Sequence, residues 1–318
     1  VVVTASQVAA SQMTRLAQAD LKAPFFVMCL HTAAMSVCLP LAPAVRKPGG
    51  SGSLGWRPVL LLLPLWLASS YFYVDALVFA PAGLVQTIFG TAPAIVSVLS
   101  RAFLAEPLTW RRLAAALAAF AGMLCVGVAA WRRNRQHGGG AGGALAGAGF
   151  AGCAVLAAAG YKVGFKRRFG DASASETLAF VGRLGAAAGL LGLPVAAALG
   201  ALGVETRWWH PDVAVNWPLL LASAAVDAVY GIALTLGVAM AGPALMAFGT
   251  ILGIPANLAI DAALWGARPG ALEAVGAALV ALSFLLCVSA PAPRPLLPRE
   301  AADPEEAPRP YCERQRLT

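Results

Sequence analysis

The chain has 318 residues, of which 59% are hydrophobic and 12% charged, with a mean hydropathy of +0.73 and a formal net charge of +8. A soluble domain carries roughly 25% charged residues, so this composition excludes an ordinary soluble fold and points to an all-α polytopic membrane protein embedded in a lipid bilayer. The basic excess is then topology information around the spans, and no nucleic-acid partner is expected.

Nine apolar segments reach the roughly 20 residues that a helix needs to cross a bilayer. In chain order they cover about 23–44, 57–77, 80–104, 111–131, 142–163, 176–203, 216–240, 243–265 and 271–290. All are read as helices, because an open strand cannot satisfy its backbone in lipid. The chain opens VVVTASQ, with neither Met nor a signal-peptide pattern. Trp56, Trp110, Trp131, Trp208, Trp209, Trp217 and Trp265 fall at or beside span ends, as interfacial residues do, and only Trp66 falls mid-span. KPGGSGSLG (47–55) and HGGGAGG (137–143) read as short flexible linkers, and the Pro-rich charged tail from 291 reads as disordered. Loops on one side of the membrane, together with the tail, carry fifteen Lys and Arg against seven on the other, which places the tail in the cytosol. The plasma membrane or a secretory-pathway membrane is the expected location.

The six cysteines form no CxxC and read as free thiols, with no metal site and no cofactor expected. HExxH, GxSxG and GxxxxGK[ST] are absent, so neither catalysis nor ATP-driven pumping is expected. Gly143/Gly147 and Gly185/Gly189 have the GxxxG spacing of close helix packing. That spacing leaves the oligomeric state open.

An internal repeat organises these segments. YFYVDALVFAPAGLVQTIFGT from Tyr71 and YGIALTLGVAMAGPALMAFGT from Tyr230 both end on Phe-Gly-Thr, at 89–91 and 248–250. The third span thus corresponds to the eighth, five spans later, and an odd offset inverts the topology. The expected domains are a first repeat over 1–136, lacking its first span, a second repeat over 137–290, and a tail over 291–318. Inverted repeats are a transporter architecture, and a pair of Pro- or Gly-interrupted spans in matching positions marks the substrate site. Pro93 and Pro255 are the expected helix breaks.

FLAEPLTWRRLAAALAAFAGMLCVGVA (103–129) resembles the end of the first repeat in the drug/metabolite transporter superfamily. GYKVGFKRRFGDASASETLAF and LMAFGTILGIPANLAID are similar to the F branch of its solute carrier 35 family, which includes a thiamine transporter; ASQMTRLAQADLKAPFF matches the stretch after that branch's first span. The resemblance covers about 5–290 and implies ten spans in two five-span repeats, one more than the nine counted here. It also implies a small-molecule substrate. FGTAPAIV lacks the lysine that the F branch carries in this span.

The candidate substrate residues are the polar ones at depth. Asp227 lies ten residues into the seventh span, about 15 Å down the helix axis. An ionisable group at that depth is costly and marks a cavity or a partner, here a cation or proton site, with a neutral or paired structural Asp as the plain alternative. Thr250, Asn257 and Asp261 surround Pro255 in the eighth span, where a proline frees a carbonyl one turn back. Tyr71, Tyr73 and Tyr230 offer rings for a planar or cationic solute, or simply pack the core. Arg183 and Lys162 either snorkel to the cytosolic interface or grip an anion. His31 has no acidic neighbour in sequence and is given no role.

The leading expectation is a secondary transporter of a thiamine-like organic cation or neutral metabolite, working by alternating access and using a coupling ion. A nucleotide-sugar exchanger would need Lys162 and Arg183 inside the cavity. A non-transporting membrane scaffold is the alternative from a different class.

Overall fold

A computed structural model describes residues 2–17, 21, 23–44, 55–79, 82–105, 109–136, 141–170, 172–213, 215–265 and 270–289. The helices in chain order are α1 Val2–Ala17, α2 Pro24–Ala34, α3 Cys38–Ala44, α4 Trp56–Phe79, α5 Ala82–Phe89, α6 Ala92–Leu104 and α7 Trp110–Gln136. They continue as α8 Ala141–Phe169, α9 Ala174–Ala187, α10 Leu193–Ala201, α11 Trp217–Ala241, α12 Pro243–Ile251, α13 Gly253–Trp265 and α14 Ala271–Val288. Among the described residues there is no strand, and nine helices or helix runs are long and apolar enough to cross a membrane. Leu61, Leu156, Leu190 and Met240 stand exposed on outer faces, as the hydrocarbon of a bilayer requires and water would not favour. The tail from 291 and most of the 47–55 linker lie outside the described residues.

The spans start where the sequence supplies start signals. Pro24, Pro218 and Pro243 occupy first-turn positions, where a missing N–H costs nothing. The Asn216 side chain accepts from Leu219 N–H at 3.2 Å. Ser173 and Glu176 close a capping box on α9, which places Glu176 at the helix end rather than in a site.

Four of the nine spans are interrupted. A 3₁₀ turn at Met35–Val37 joins α2 to α3, and a π segment at Ala188–Gly192 joins α9 to α10. The third span breaks at Gly90–Thr91, between α5 and α6, and Pro93 takes a first-turn position just beyond. The eighth breaks at Leu252, three residues before Pro255, which stands in the first turn of α13. Pro255 has no N–H to return to the Ile251 carbonyl. The two matched threonines behave alike: Thr91 donates to the Ile88 carbonyl at 2.6 Å and Thr250 to that of Ala247 at 2.8 Å. Hydroxyls bonding back three residues satisfy carbonyls that water cannot reach.

Packing pairs the helices in a regular scheme. α4 lies along α8 and α1 along α11, while α7 lies along α14. α1 has 16 residues, too few to be counted among the nine. Its Thr4 hydroxyl donates to the Gly249 carbonyl at 3.3 Å, beside the interruption of the eighth span. α7 and α14 run antiparallel, because Arg111 donates to the Ser289 carbonyl at 2.9 Å while Gly122 abuts Gly276 about three turns away. α2 and α9 are antiparallel as well. Gly182 meets Leu39, Gly185 meets Ser36, Gly189 meets Ala33 and Gly192 meets Cys29. A Cβ on Gly185 would lie 2.5 Å from the Ser36 nitrogen, so the Gly185/Gly189 spacing serves a contact within one bundle.

Gly185→Leu should therefore lower thermal stability in detergent by about 1–3 kcal/mol or abolish folding, as overpacking does. Gly149 has open space around its Cβ direction, and Gly149→Ala should be neutral or stabilising by up to about 1 kcal/mol. Fluorescence-detected melting of the two variants checks the contrast.

Candidate functional site

The site grows from one stripe of α11. Ser223, Asp227, Gly231 and Thr235 recur every four residues and so share a face. α2 runs parallel to α11 along this stripe: the Phe26 ring meets Trp217 edge-on at 6.3 Å, His31 meets Asp227, and Met35 fills the space over Gly231. His31 Nε2 is 3.0 Å from Ser223 Oγ, and His31 Nδ1 is 3.8 Å from Asp227 Oδ2. The His31 side chain is 7% exposed and that of Asp227 27%, so the carboxylate is the more open of the two. Asp227 thus has a titratable partner, which sequence reasoning missed because 196 positions separate the two residues.

Lower on the stripe, the Tyr161 hydroxyl and Thr235 Oγ1 are 3.0 Å apart, which ties α8 to α11. Trp66 reaches in from α4, with Nε1 donating to Thr32 Oγ1 at 3.2 Å and its ring edge-on to Tyr161 at 4.8 Å. Tyr230 interacts electrostatically with Asp227, Tyr161 and Tyr73. Tyr73 packs edge-on against Phe89 at 4.8 Å, immediately before the Gly90 break. Tyr71, Tyr73 and Tyr230 are each only half-buried.

An acidic group lies at the end of the bundle where α2 and α11 begin. The Tyr71 hydroxyl bonds the Asp75 carboxylate one turn on, and the Tyr71 ring packs edge-on against Phe25 at 5.8 Å. Glu205, from the loop before α11, accepts the Phe25 N–H at 2.7 Å on Oε1 and the Phe26 N–H at 3.3 Å on Oε2. It thereby covers the amide end of α2, where negative charge is favoured. Burial raises the Glu205 carboxyl above its ordinary range, the two amide bonds oppose that, and Asp75 adds to it. Asp75 and Glu205 were not singled out from sequence. The Tyr71/Asp75 spacing of four was a legible signal, whereas the contact of Glu205 with α2 was not.

The basic candidates separate. Arg183 stacks its guanidinium over Trp56 at 5.9 Å, at the start of α4, away from the Asp227 stripe. Lys162 is 6% exposed and has no hydrogen bond or ion pair among the described residues. It lies on α8 between Tyr161 and Lys166, and the latter donates to the Ala239 carbonyl of α11 at 2.7 Å. Thr250 is spent on its own helix. Asn257 and Asp261 belong to α13, and their side chains lie outside the described residues. No cluster among the described residues could hold a metal ion, and Cys29, Cys38, Cys125, Cys153 and Cys287 are free thiols. An open groove of about 520 Å³ between α2 and α11 is lined only by apolar residues such as Leu30, Val37, Leu221 and Ile232. That lining suits acyl chains rather than a polar solute.

Residues 2–128 match the family model of the EamA-like transporter family. A crystal structure of a protein 18% identical aligns over 90% of this chain and 98% of its own, with a TM-score of 0.62. At that identity the likeness concerns the fold alone. No curated protein matches the chain.

A carboxyl raised in the folded state holds its proton there while the unfolded chain has lost it. The stability this contributes is complete below the ordinary carboxylate range and is lost as pH rises through the folded value. Glu205→Gln should therefore flatten the decline in melting temperature between the ordinary glutamate range and the range just above it. Thermal unfolding of both proteins across a pH series measures this.

Proposed function

We propose that the chain is a secondary transporter of the drug/metabolite type that moves a small organic solute by alternating access. The observation that carries this reading is the half-buried Asp227, which interacts with Tyr230 and through it with Tyr161 and Tyr73, among spans of which two are interrupted at or just after matching Phe-Gly-Thr sequences. Ionisable groups at membrane depth line pathways, and interrupted spans expose the backbone there. The family match over 2–128 supports the same class.

The inverted repeat is part of this proposal. Exchanging α1 with α8, α2–α3 with α9–α10, α4 with α11, α5–α6 with α12–α13 and α7 with α14 maps the principal packing pairs onto one another. The antiparallel pairs α7/α14 and α2/α9 are the matched spans themselves. The proposed site then lies where the repeats meet, between a first repeat ending near 136 and a second ending near 290.

The solute we favour is a thiamine-like organic cation or a neutral metabolite. Carboxylates of Asp227 and Asp75 and aromatic faces would receive it. Asn257 and Asp261 are proposed as further contacts across the break in the eighth span. A nucleotide-sugar exchanger has one observation in its favour, the buried Lys162, which has no partner among the described residues, but Arg183 rests on Trp56 rather than beside it.

Uptake into proteoliposomes across a panel of thiamine-like cations, neutral metabolites and nucleotide sugars tests the reading. Asp227→Asn should reduce cation uptake by roughly tenfold or more, the scale of one hydrogen bond to a charged group. Uptake confined to nucleotide sugars and lost in Lys162→Met would select the exchanger. A correctly inserted protein that moves nothing in the panel would leave the scaffold.

A further inference from the structure

His31 and Asp227 come from opposite halves of the chain and meet inside the bilayer-spanning region. Their hydrogen-bond inventory decides what they can hold. Ser223 has one hydroxyl hydrogen, and in one arrangement it goes to the Leu220 carbonyl at 2.8 Å. Ser223 Oγ then accepts from His31 Nε2–H at 3.0 Å. A neutral imidazole protonated at Nε2 is bare at Nδ1. Nδ1 and Asp227 Oδ2, 3.8 Å apart, would then be two acceptors facing each other. The other tautomer leaves a full carboxylate in a membrane interior opposite a neutral donor beyond hydrogen-bond range. Both arrangements strand charge or lone pairs where this is costly. One added proton removes the conflict, because either His31⁺ with Asp227⁻ or neutral His31 with Asp227–COOH is net neutral.

We propose that His31 and Asp227 form a one-proton latch between α2 and α11, closed when the pair holds its proton and opened when the proton leaves. Release takes the shared proton to water and leaves neutral His31 beside a charged Asp227. The uncompensated carboxylate then draws in water or a cation, and α2 and α11 loosen along the Ser223–Thr235 stripe. The proposal deepens the transporter reading and rests on it for its meaning, since it names the proton as the coupling ion.

The other ionisable groups around the pair are accounted for element by element. On α11 and α8, Tyr230 and Tyr161 have neutral phenols at physiological pH, and Lys162 lies beyond Tyr161 on α8. On α4, Tyr73 interacts with Tyr230, and Asp75 is engaged by Tyr71. Glu205 is held by the first amides of α2. On α9, Arg183 is against Trp56 and Glu176 closes the cap. Arg15 lies near the far end of α1. Neither His31 nor Asp227 has a second ion pair among the described residues.

The test uses the full-length protein in nanodiscs with no solute present, so it succeeds or fails independently of any uptake assay. Ring-¹⁵N histidine labelling gives signals from three histidines, and His31→Gln identifies the one of interest. Infrared difference spectra over the same pH series follow carboxylic-acid groups, and Asp227→Asn identifies that of Asp227. The expected result is that the His31 ring and the Asp227 carboxyl respond at a common midpoint. Asp227→Asn should displace the ring midpoint by about one pH unit or more, tenfold in proton affinity. Amide exchange in α2 and α11 should rise across that midpoint in the parent protein and stay level in both variants. Separate midpoints, a ring titration unchanged by Asp227→Asn, or exchange that ignores pH would each overturn the latch. If Asp227→Asn does not fold, a common midpoint in the parent and its loss in His31→Gln decide the matter in the same way.

Discussion

A single indole organises the centre of this bundle. Trp66 donates to Thr32 and lies edge-on against Tyr161, and Tyr161 in turn is bonded to Thr235. Those four side chains come from α4, α2, α8 and α11, so one chain of contacts fixes the mutual placement of the helices that surround Asp227. Apolar burial cannot do this job in a bilayer, because lipid tails are as apolar as leucine and helix association depends on packing and hydrogen bonds. Around the indole lies the largest cluster of buried residues, including Phe165, Phe180 and Leu184. The polar links specify register and that cluster fills the space between.

The gross architecture was legible because the bilayer imposes it. Hydropathy runs of fixed length give helices, and the nine expected segments reappear with edges shifted by a few residues. The break in the third span was signalled by Gly90 and Pro93, and that in the eighth by Gly249 and Pro255, although the interruptions sit at Gly90–Thr91 and Leu252 rather than on the prolines. The offset has a local cause, since a proline is comfortable in a first turn and the disruption falls on the residues before it. The π segment in α9–α10 had no comparable signal, although Pro194 at its far edge also lacks an N–H to give back.

The site was less legible. Asp227 was visible from depth alone, but its histidine lies in another helix, and no local pattern reports which faces of two helices will meet. Tyr71 and Asp75 share one helix, and their four-residue spacing encodes their bond directly. Glu205 is the opposite case, a loop acid whose role exists only because the chain returns to the amide end of α2. Residues that act within their own helix could be read from the sequence, and residues that act between helices could not.

The glycine face of α9 and the π segment that follows it has a mechanical meaning. Gly182 and Gly185 approach mostly backbone atoms of α3, the 3₁₀ turn and the end of α2, while Gly189 and Gly192 approach the small Ala33 and Cys29 side chains of α2. Such a surface resists separation strongly, because the axes are near and the contact area is continuous. It resists sliding weakly, because few rotamers must reset for α2 to travel along it. A stiff hinge would hold these two helices at one point, whereas a glycine track lets them shear while staying together. Small side chains and bare backbone thus line the α2/α9 seam, which runs along the helix that presents Asp227.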